Sequence, residues 1–494
     1  MAETYETTLA EHLKQSGAAS VQDEQLATYL DEQDPLAPLA ASFVLPDVAE
    51  ICAVAAATPS PPGAPMPAPS PPPSRAIYFC GNSLGVVPRR SVTLLHEEIA
   101  TWSARGVLGH FAHPHDRPWA RYDDHVRASL ARIVGAEPRE VVAMNGLTVN
   151  LHLMLLSFYR PTAARYKIVI EAGAFPSDQF AVASAARFHG HDPAAAVVAV
   201  APRAGEHTLR EADILAAVAA PDVALVLFSG IQYYTGQCFP MAAIARHARA
   251  HGAMVGLDLA HAVGNVPLAL HDWDVDFAVW CSYKYLNAGP GGIGGAFVHA
   301  RHLEGAADGR ADRALGHVGD DGTRLRRLEG WWGSDASRKF EMDGVFRAEP
   351  DAYAFRLSNP PIWQLATLLG SLAVFDQTSM AALRAKSVLL TGYLETRLRH
   401  LAAHPPPRAP RPPFTILTPS DPAQRGAQLS LLFHAGTMPR VAHGLMLHGV
   451  VCDERKPDVI RIAPTPLYGS FAEVWRFVDV LRAVLAEATT EPSA

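Results

Sequence analysis

Apolar runs of four to seven residues recur between residues 141 and 299 and alternate with segments rich in alanine and leucine. The runs are VVAM, YKIVIEA, AAVVAV, VALVLFS, AMVGLDL, DFAVWC and IGGAFVH. Continuous apolar runs are typical of strands that are buried on both faces, and their alternation with helical segments favours parallel pairing. We therefore predict an α/β domain in which helices sandwich a mostly parallel sheet.

Patterns outside this region predict a smaller α+β domain built from the two ends of the chain. Helices are predicted between residues 11 and 57, with Ser20 and Glu24 as candidate N-terminal capping residues. Further helices are predicted at 91–104, 380–401 and 470–487, with strands at QLSLLF and VIRIAP. The predicted divisions are 1–90, which joins the small domain, 91–359 for the large domain and 360–494 for the C-terminal small domain. Residues 59–74 are rich in proline, alanine and serine and are predicted to form an exposed insertion.

Composition indicates small-molecule chemistry. The 494 residues are 49% hydrophobic and 18% charged, and the net charge of −7 provides no basic face for nucleic acid and no polybasic membrane anchor. The five cysteines are odd in number and contain no C-x-x-C pair, which argues against a disulfide framework and a structural metal site. The chain has no apolar targeting segment and no run of bilayer-spanning length. We expect a cytoplasmic protein whose partners include neither nucleic acid nor membrane.

The segment YFCGNSLG at residues 78–85 contains G-x-S-x-G, a pattern that hydrolases use to hold a nucleophilic serine. A short apolar strand is predicted before Ser83, as that motif requires. The helix that should follow the serine at once is displaced, because Val86, Val87 and Pro88 come next and proline is favoured in the first turn of a helix. A glycine turn that places a polar side chain is therefore favoured over a nucleophile.

A second motif, GPGGIG at residues 289–294, matches the G-x-G-x-x-G pattern of dinucleotide-binding proteins. It follows a polar loop and leads into the strand IGGAFVH, whereas a dinucleotide site must open a helix. The glycines instead allow the backbone to pass close to a bulky group that is attached just upstream.

Lys284 lies just upstream, after the apolar run DFAVWC. A lysine in this position can form a Schiff base when desolvation lowers its pKa, although a solvated strand-end lysine is the alternative. Asp258 ends the run AMVGL, where it can face a pyridinium nitrogen and keep it protonated, or simply cap a helix. Together the two residues indicate pyridoxal phosphate more specifically than either does alone.

Two further features fit that cofactor. A helix is predicted to begin near Leu147 and Thr148, and its free N–H groups and the threonine hydroxyl could bind a phosphate. An ordinary threonine cap is the alternative. Phe175 follows the next strand, where its ring could stack on a pyridine ring or pack in the core.

Ten segments of the chain resemble one family. They are FCGNSLG, MNGLTVNLH, FPSDQ, LFSGIQYYTGQ, DLAHAVGN, DWDVDFAVWCSYKYLNAGPGGIGGAFVH, GWWG, FRLSNPP, KSVLLTGYLE and RIAPTPLY. In this order they closely resemble kynureninase, a family of pyridoxal-phosphate enzymes of the aspartate-aminotransferase fold type, also called fold type I. The match runs from residue 77 to the C-terminus. The chain departs from the family in the insertion and in GHFAHPHDRPW, where the spacing from His110 to Arg117 is longer, so the pocket histidine among residues 110–115 stays open.

The resemblance implies roles for individual residues. Lys284 would bind the cofactor covalently, and Lys284 and Tyr283 would be catalytic. The implied cofactor-binding residues are Leu147, Thr148, Phe175, Pro176, Ser177, Asp178, Ser229, Asp258, His261, Tyr283, Lys284, Trp331 and Asn359. Of these, Trp331 and Asn359 would come from the second subunit of a homodimer. The implied substrate-binding residues are Asn82, Ser83, His110 and Arg461, with the guanidinium of Arg461 holding the substrate carboxylate. A surface role for Arg461 and a core role for Trp331 are the alternatives.

The implied reaction is hydrolysis of the Cβ–Cγ bond of L-kynurenine, or of 3-hydroxy-L-kynurenine, to an anthranilate and L-alanine. This reaction belongs to tryptophan catabolism and NAD biosynthesis, and Tyr283 is the candidate base that activates water. The alternatives are another fold type I enzyme such as a cysteine desulfurase or an aminotransferase, a serine hydrolase that uses Ser83, and a non-catalytic binding protein. The sequence leaves the preference for the ring hydroxyl open.

Overall fold

The computed structural model describes residues 5–58, 75–303, 326–407 and 409–487, so the predicted insertion at 59–74 lies outside the described residues. The α-helices are α1 (Tyr5–Ser16), α2 (Glu24–Glu32), α3 (Val48–Ala57), α4 (Arg89–Arg105), α5 (Asp124–Val134), α6 (Leu147–Phe158), α7 (Pro176–Phe188), α8 (Pro193–Ala196), α9 (Glu211–Val218), α10 (Met241–Ala250), α11 (Ile362–Phe375), α12 (Met380–Ala403), α13 (Met438–Leu447) and α14 (Phe471–Glu487). The strands are β1 (Phe43–Val44), β2 (Ile77–Tyr78), β3 (Val87–Pro88), β4 (Val141–Ala143), β5 (Lys167–Glu171), β6 (Val197–Val200), β7 (Val223–Ser229), β8 (Met254–Asp258), β9 (Phe277–Cys281), β10 (Gly294–Val298), β11 (Phe414–Ile416), β12 (Leu429–Phe433), β13 (Val450–Val451), β14 (Asp453–Arg455) and β15 (Val459–Ile462).

The chain divides into two compact units, of which the larger comprises residues 90–233 and 239–377. Its seven-stranded sheet has the order β4-β10-β9-β8-β7-β5-β6, and each predicted apolar run from residue 141 to residue 299 forms one strand. The strands from β9 to β6 pair in parallel, whereas β10 is antiparallel to β9 and to β4. Every residue of β4, β9 and β10 is buried, as expected for strands covered on both faces. The predicted α/β class is confirmed.

The antiparallel direction of β10 follows from the short connection that precedes it. Only residues 282–293 join β9 to β10, and an antiparallel return needs no crossover helix. Gly289 and Gly291 adopt positive φ angles of 88° and 63° in this loop. The glycine-rich motif therefore leads into a strand, as predicted, and opens no helix.

The carboxyl ends of the parallel strands bring several polar side chains to one edge of this sheet. Glu171 ends β5, Ser229 ends β7 and Asp258 ends β8, and the register pairs Ser229 directly with Asp258. Lys284 follows the end of β9 by three residues. Ligands bind at this edge in α/β proteins, so the topology itself assembles a candidate site.

The smaller unit comprises residues 1–89, 234–238 and 378–494. It contains an antiparallel sheet in the order β11-β12-β15-β14, a parallel pair of β13 with β2 and an antiparallel pair of β1 with β3. Its core joins side chains from both ends of the chain, including Phe79, Tyr393, Phe433 and Phe477. This matches the prediction of a small α+β unit formed by both chain ends.

Two details differ from the sequence predictions. The helix predicted with Ser20 as its cap begins at Glu24, and Asp23 caps it by accepting a hydrogen bond from the N–H of Gln25. The predicted domain boundary at 359/360 would place α11 in the small unit, yet α11 belongs to the large unit. The close approach of Gly370 to the backbone of Ser91 explains this, since a Cβ at Gly370 would lie 2.4 Å from Ser91 atoms. No helix in the described ranges is both long and apolar enough to cross a membrane.

Candidate active site

The first group of candidate residues lies in the large unit around Lys284. Its Nζ atom is 5.9 Å from the ring centroid of Phe175 and 5.9 Å from that of Tyr283. Asp258 is buried, and one of its carboxylate oxygens accepts a hydrogen bond of 2.7 Å from the N–H of Ala260. Burial raises the pKa of Asp258, and the positive charge of Lys284 acts in the opposite direction. The structure thus brings together the lysine, the carboxylate and the aromatic ring that the sequence predicted.

Two more carboxyl groups share this buried edge. Burial and the neighbouring Asp258 raise the pKa of Asp178 well above its usual value. Burial likewise raises the pKa of Glu171 to about 7, although the hydroxyl and the N–H of Ser229 both donate hydrogen bonds to its carboxylate. Three carboxyl groups in one buried site cannot all be ionised without large repulsion. We infer that the site keeps at least one of them protonated at neutral pH.

The N-terminus of α6 provides space and donors for an anion. Gly146 is its N-cap, no side chain caps the helix, and a Cβ placed on Gly146 would meet nothing within 4 Å. Asn145 turns the chain into the helix with a positive φ of 48°. Leu147 and Thr148 are the first two residues of the helix, where free N–H groups favour a phosphate.

The remaining predicted cofactor residues of this unit follow the same strand ends. Pro176, Ser177 and Asp178 form the first turn of α7 directly after Phe175. His261 is buried with its ring 6.5 Å from that of Tyr285. Burial raises the pKa of Tyr283, so its phenol keeps its proton at neutral pH and acts as a hydrogen-bond donor.

These residues fit pyridoxal phosphate on observations that are independent of any relative. Oδ1 of Asp178, next to Asp258, is buried without a hydrogen bond in the described part of the chain, which suits a site built to receive a polar group. The open space at Gly146 suits the phosphate. The amine of Lys284 lies near the ring of Phe175, as required for a lysine that binds a ring-stacked aldehyde.

The second group lies in the small unit and is described by itself. Arg461 is fully buried on β15, and its Nε and Nη2 atoms lie 2.9 Å and 2.7 Å from Oδ1 of Asp453. Nη2 of Arg461 also donates to Oγ of Ser83 at 3.0 Å, and Ser83 in turn donates to Oδ2 of Asp453. Asn82 is buried and donates to the side chain of Gln428 at 2.9 Å. The structure therefore brings Ser83 and Arg461 together.

The surroundings of Ser83 favour the glycine-turn interpretation over the nucleophile. The N–H of Ser83 closes a turn on the carbonyl of Cys80 at 2.9 Å, and the following helix begins only at Arg89. The hydroxyl of Ser83 donates to Asp453 and accepts from Arg461. Neither resembles the imidazole base that activates a catalytic serine.

The histidines of the GHFAHPHDRPW segment occupy different environments in the large unit. His113 is buried and bonds to Glu98 at 2.8 Å, so its ring takes part in a contact inside the protein. His115 is exposed. His110 bonds to the carbonyl of Val107 and packs its ring 5.4 Å from that of Trp119. The pocket histidine among residues 110–115 stays a prediction. The other two predicted residues of this unit, Trp331 and Asn359, are exposed.

Three carboxylates were absent from the sequence prediction, of which Glu171 and Glu98 are buried and Asp453 is partly buried. Glu171 could have been found by the rule that found Asp258, because it also ends an apolar strand. Glu98 lies on a helix that is predicted from its pattern, without any motif to mark it. Asp453 lies in the charged segment DER, whose register with β15 is visible only in the folded sheet.

Comparison with known proteins agrees with this geometry. Residues 383–481 match the family model described as kynureninase C-terminal domain, and residues 98–309 match aminotransferase class-V. A kynureninase of Monosiga brevicollis is 46% identical over 96% of this chain and 98% of its own length. A kynureninase of Myxococcus xanthus is 48% identical over 93% of this chain and 96% of its own length.

Solved structures show the same fold at low identity. The cystine C–S lyase C-DES, in complex with its product cysteine persulfide, covers 83% of this chain and 97% of its own with a TM-score of 0.65 at 18% identity. A cysteine desulfurase of Thermococcus onnurineus covers 83% of this chain and 94% of its own with a TM-score of 0.62 at 15% identity. These likenesses confirm the predicted fold class. From the near-full-length identity to the curated relatives, the chain belongs to the kynureninase family.

Proposed function

We propose that this protein hydrolyses the Cβ–Cγ bond of L-kynurenine, or of its 3-hydroxy form, to an anthranilate and L-alanine with pyridoxal phosphate as cofactor. The observation that carries the proposal is the group formed by Lys284, Phe175 and buried Asp258 in a member of the kynureninase family. The cysteine desulfurase alternative has structural likeness only, at 15% identity.

The cofactor would be held by the residues at the edge of the large sheet. Lys284 would bind it covalently, Phe175 would stack on its ring, and the N–H groups at the start of α6 would bind its phosphate. Asp258 would keep the ring nitrogen protonated. When bound, pyridoxal phosphate supplies an electron sink for carbanions that form on the substrate.

The side chains of the protein perform the remaining tasks. Arg461 would bind the substrate α-carboxylate through charge-assisted hydrogen bonds. Nζ of Lys284, once exchanged for the substrate amine, would remove the proton from Cα and later return it. Because burial raises the pKa of Tyr283, its phenol keeps its proton and would orient the water that attacks the ketone through a hydrogen bond.

We also propose that the enzyme is a homodimer in which Trp331 and Asn359 complete the site of the partner subunit. An exposed aromatic cluster on the large unit supports this, with Phe111 67%, Phe340 51% and Trp331 49% exposed. The ring of Phe340 lies 5.8 Å from that of Phe111 and 5.4 Å from that of Trp331. A patch of this kind is expected to be covered in a stable protein.

The finer assignments rest on the sequence. A role in tryptophan catabolism and NAD biosynthesis follows from the proposed reaction. The cytoplasmic location rests on the odd number of cysteines and the lack of a C-x-x-C pair. His110 is the candidate substrate contact among the histidines of residues 110–115.

The direct test is turnover by the purified protein. Protein reconstituted with pyridoxal phosphate and supplied with L-kynurenine should release anthranilate and L-alanine in equal amounts, and 3-hydroxy-L-kynurenine should be compared in parallel. The Lys284→Ala variant should stay folded and lose both turnover and the visible absorption of the covalently bound cofactor. Failure of the wild-type protein to cleave either substrate would refute the proposal.

A further inference from the structure

Asp453 lies at the centre of a charged cluster in the small unit that the sequence did not indicate. Its Oδ1 atom is 2.7 Å from Nη2 of Arg461 and 3.0 Å from Nε of Arg455, and its Oδ2 atom accepts hydrogen bonds from Ser83 and from Nη2 of Arg455. One carboxylate therefore contacts both guanidinium groups and the serine hydroxyl.

The backbone fixes the position of this carboxylate. Asp453 and Arg461 are direct cross-strand partners in the antiparallel pair of β14 with β15, so their side chains share one face of the sheet. Arg461 is in turn opposite Ser430 on β12, which anchors β15 from the other side. The contact between Asp453 and Arg461 is thus set by strand register, whereas a contact between two flexible surface side chains is not.

Burial makes the partner of Arg461 necessary. The side chain of Arg461 is 1% exposed, and a charge removed from water is costly unless a carboxylate and hydrogen bonds compensate it. Burial lowers the pKa of Arg461, and Asp453 opposes that effect. Asp453 therefore compensates the positive charge of a buried arginine.

The cluster still carries an excess positive charge. Two guanidinium groups face one carboxylate, and the nearby thiol of Cys80 stays neutral because burial raises its pKa to about 12. The hydroxyl of Ser83 adds a contact without a charge. The excess of about one positive charge matches the single negative charge of an α-carboxylate.

We propose that Asp453 is the positioning residue of the substrate-carboxylate site: it compensates the charge of Arg461 and fixes the orientation of its guanidinium, and Ser83 supports this orientation by bonding to both residues. This rests on the proposed function, in which Arg461 binds the α-carboxylate. Asp453 acts through Arg461, so its loss should weaken ligands that carry the carboxylate and spare those that lack it. Ser83 then contacts the residues that bind the carboxylate end of the substrate.

The test compares two ligands on the reconstituted holoenzyme. One is L-kynurenine, and the other is the amine left when its α-carboxylate is removed; both are followed through the change in absorption of the bound cofactor. In the Asp453→Asn variant, the Kd and KM for kynurenine should rise at least about tenfold, kcat should change much less, and the Kd for the amine should stay near the wild-type value. Glu454→Gln is the matched control, since it makes the same chemical change one residue along β14 at an exposed position and should alter neither ligand.

Three outcomes would overturn the inference. Equal weakening of both ligands would show a general structural role, unchanged kynurenine binding would show that Arg461 needs no partner, and tighter binding would show that Asp453 competes with the substrate. If Asp453→Asn does not fold, as judged by circular dichroism, the Ser83→Ala variant answers the same question. Because Ser83 supports the contact between Asp453 and Arg461, its removal should weaken kynurenine binding by a smaller factor and leave binding of the amine unchanged. Turnover by the wild-type enzyme is measured separately, so failure of the proposed function is distinguishable from failure of this assignment.

Discussion

Glu171 shows how burial decides the charge of a single carboxyl group. It is completely enclosed, its side chain contacts Ser229, and Asp258 lies close enough to repel its negative charge. Its pKa of about 7 lies above the ordinary glutamate value of about 4.5. At neutral pH a large fraction of the folded protein therefore holds this group protonated, whereas the unfolded chain does not.

This difference predicts a specific effect of Glu171→Gln on stability. Between pH 4.5 and about 7 the unfolded chain releases the proton while the folded protein keeps it, so ionisation favours unfolding and wild-type stability falls as pH rises. The glutamine amide can donate to Ser229 Oγ and accept from Ser229 N–H without titrating. Relative to the wild type, the free energy of unfolding of the variant should therefore rise as the pH increases through this window, by at most about 3 kcal/mol at neutral pH. Denaturant unfolding of the apoprotein measures this difference. If the free energies of unfolding of the two proteins changed equally with pH, the assigned pKa would be contradicted.

Ser83 can be tested through the size of the effect when its hydroxyl is removed. If the hydroxyl only bonds to Asp453 and Arg461, Ser83→Ala should cost about 0.5–2 kcal/mol, which lowers kcat/KM for kynurenine by roughly tenfold or less. The cofactor spectrum should be unchanged. A loss of about a thousandfold or more would restore the nucleophile interpretation. A fluorophosphonate probe provides the independent check, and labelling of Ser83 would also contradict our interpretation.

Among the elements, the segment from α4 to α5 is organised by one buried glutamate. Glu98 accepts hydrogen bonds from Arg117, His113 and Trp119 at distances between 2.8 Å and 3.1 Å. Tyr122 donates to the same carboxylate at 3.2 Å. Despite its burial, these hydrogen bonds lower the pKa of Glu98, so it is a stable buried anion. The segment that carries His110 is therefore held in place through Trp119 and its neighbours.

Removal of that charge should loosen the segment. Glu98→Gln leaves Arg117 buried without its main partner, and we expect a loss of stability on the order of 3 kcal/mol together with a raised KM for kynurenine. Glu97→Gln is the matched control, because Glu97 contacts the same Arg117 from a partly exposed position, and such a pair contributes about 0–1 kcal/mol. Thermal unfolding and KM should be measured for both variants. Equal effects of the two substitutions would show that Glu98 does not organise the segment.

Some helices and strands could be predicted from the sequence, and others could not. The seven strands of the large sheet were predictable because each lies in a continuous apolar run, although the edge strand β6 is only partly buried. The pair of β2 with β13 was not, because each strand has two residues and their pairing joins positions that lie far apart in the chain. Asp23 replaced Ser20 as a cap because both residue types accept helix N–H groups equally well, and only the folded geometry decides between them.

The residues of the candidate site also fall into those that the sequence could predict and those that it could not. Lys284 and Asp258 were predictable because strand ends at one sheet edge must meet, whatever the side chains are. Asp453 was not, because its contact with Arg461 depends on the register of a three-residue strand, and a shift of one residue would turn its side chain to the other face. The buried network around Glu98 depends on packing between α4 and a loop, for which the sequence has no periodic signal.

At the scale of the whole molecule, the apolar surface of the large unit argues for assembly. Phe111, Phe340 and Trp331 form a contiguous aromatic cluster, and Met342 beside it in sequence is 75% exposed. Single exposed apolar residues are ordinary, but a contiguous group of rings removed from water can stabilise a dimer. The proposed dimer would use this surface and would bring Trp331 to the partner subunit.

Phe111→Ser tests this assembly and its link to the cofactor. We expect the variant to shift from dimer towards monomer in sedimentation velocity at micromolar concentration, because it loses a large apolar contact from the interface. Since Trp331 and Asn359 are proposed to complete the site of the partner subunit, the monomer should also retain cofactor less well in equilibrium dialysis. Phe188→Ser is the control, because Phe188 is 84% exposed on α7 and has no ring contact with the cluster in the described part of the chain. A wild-type monomer, or a Phe111→Ser dimer with normal cofactor retention, would show that this cluster is not the interface that completes the site.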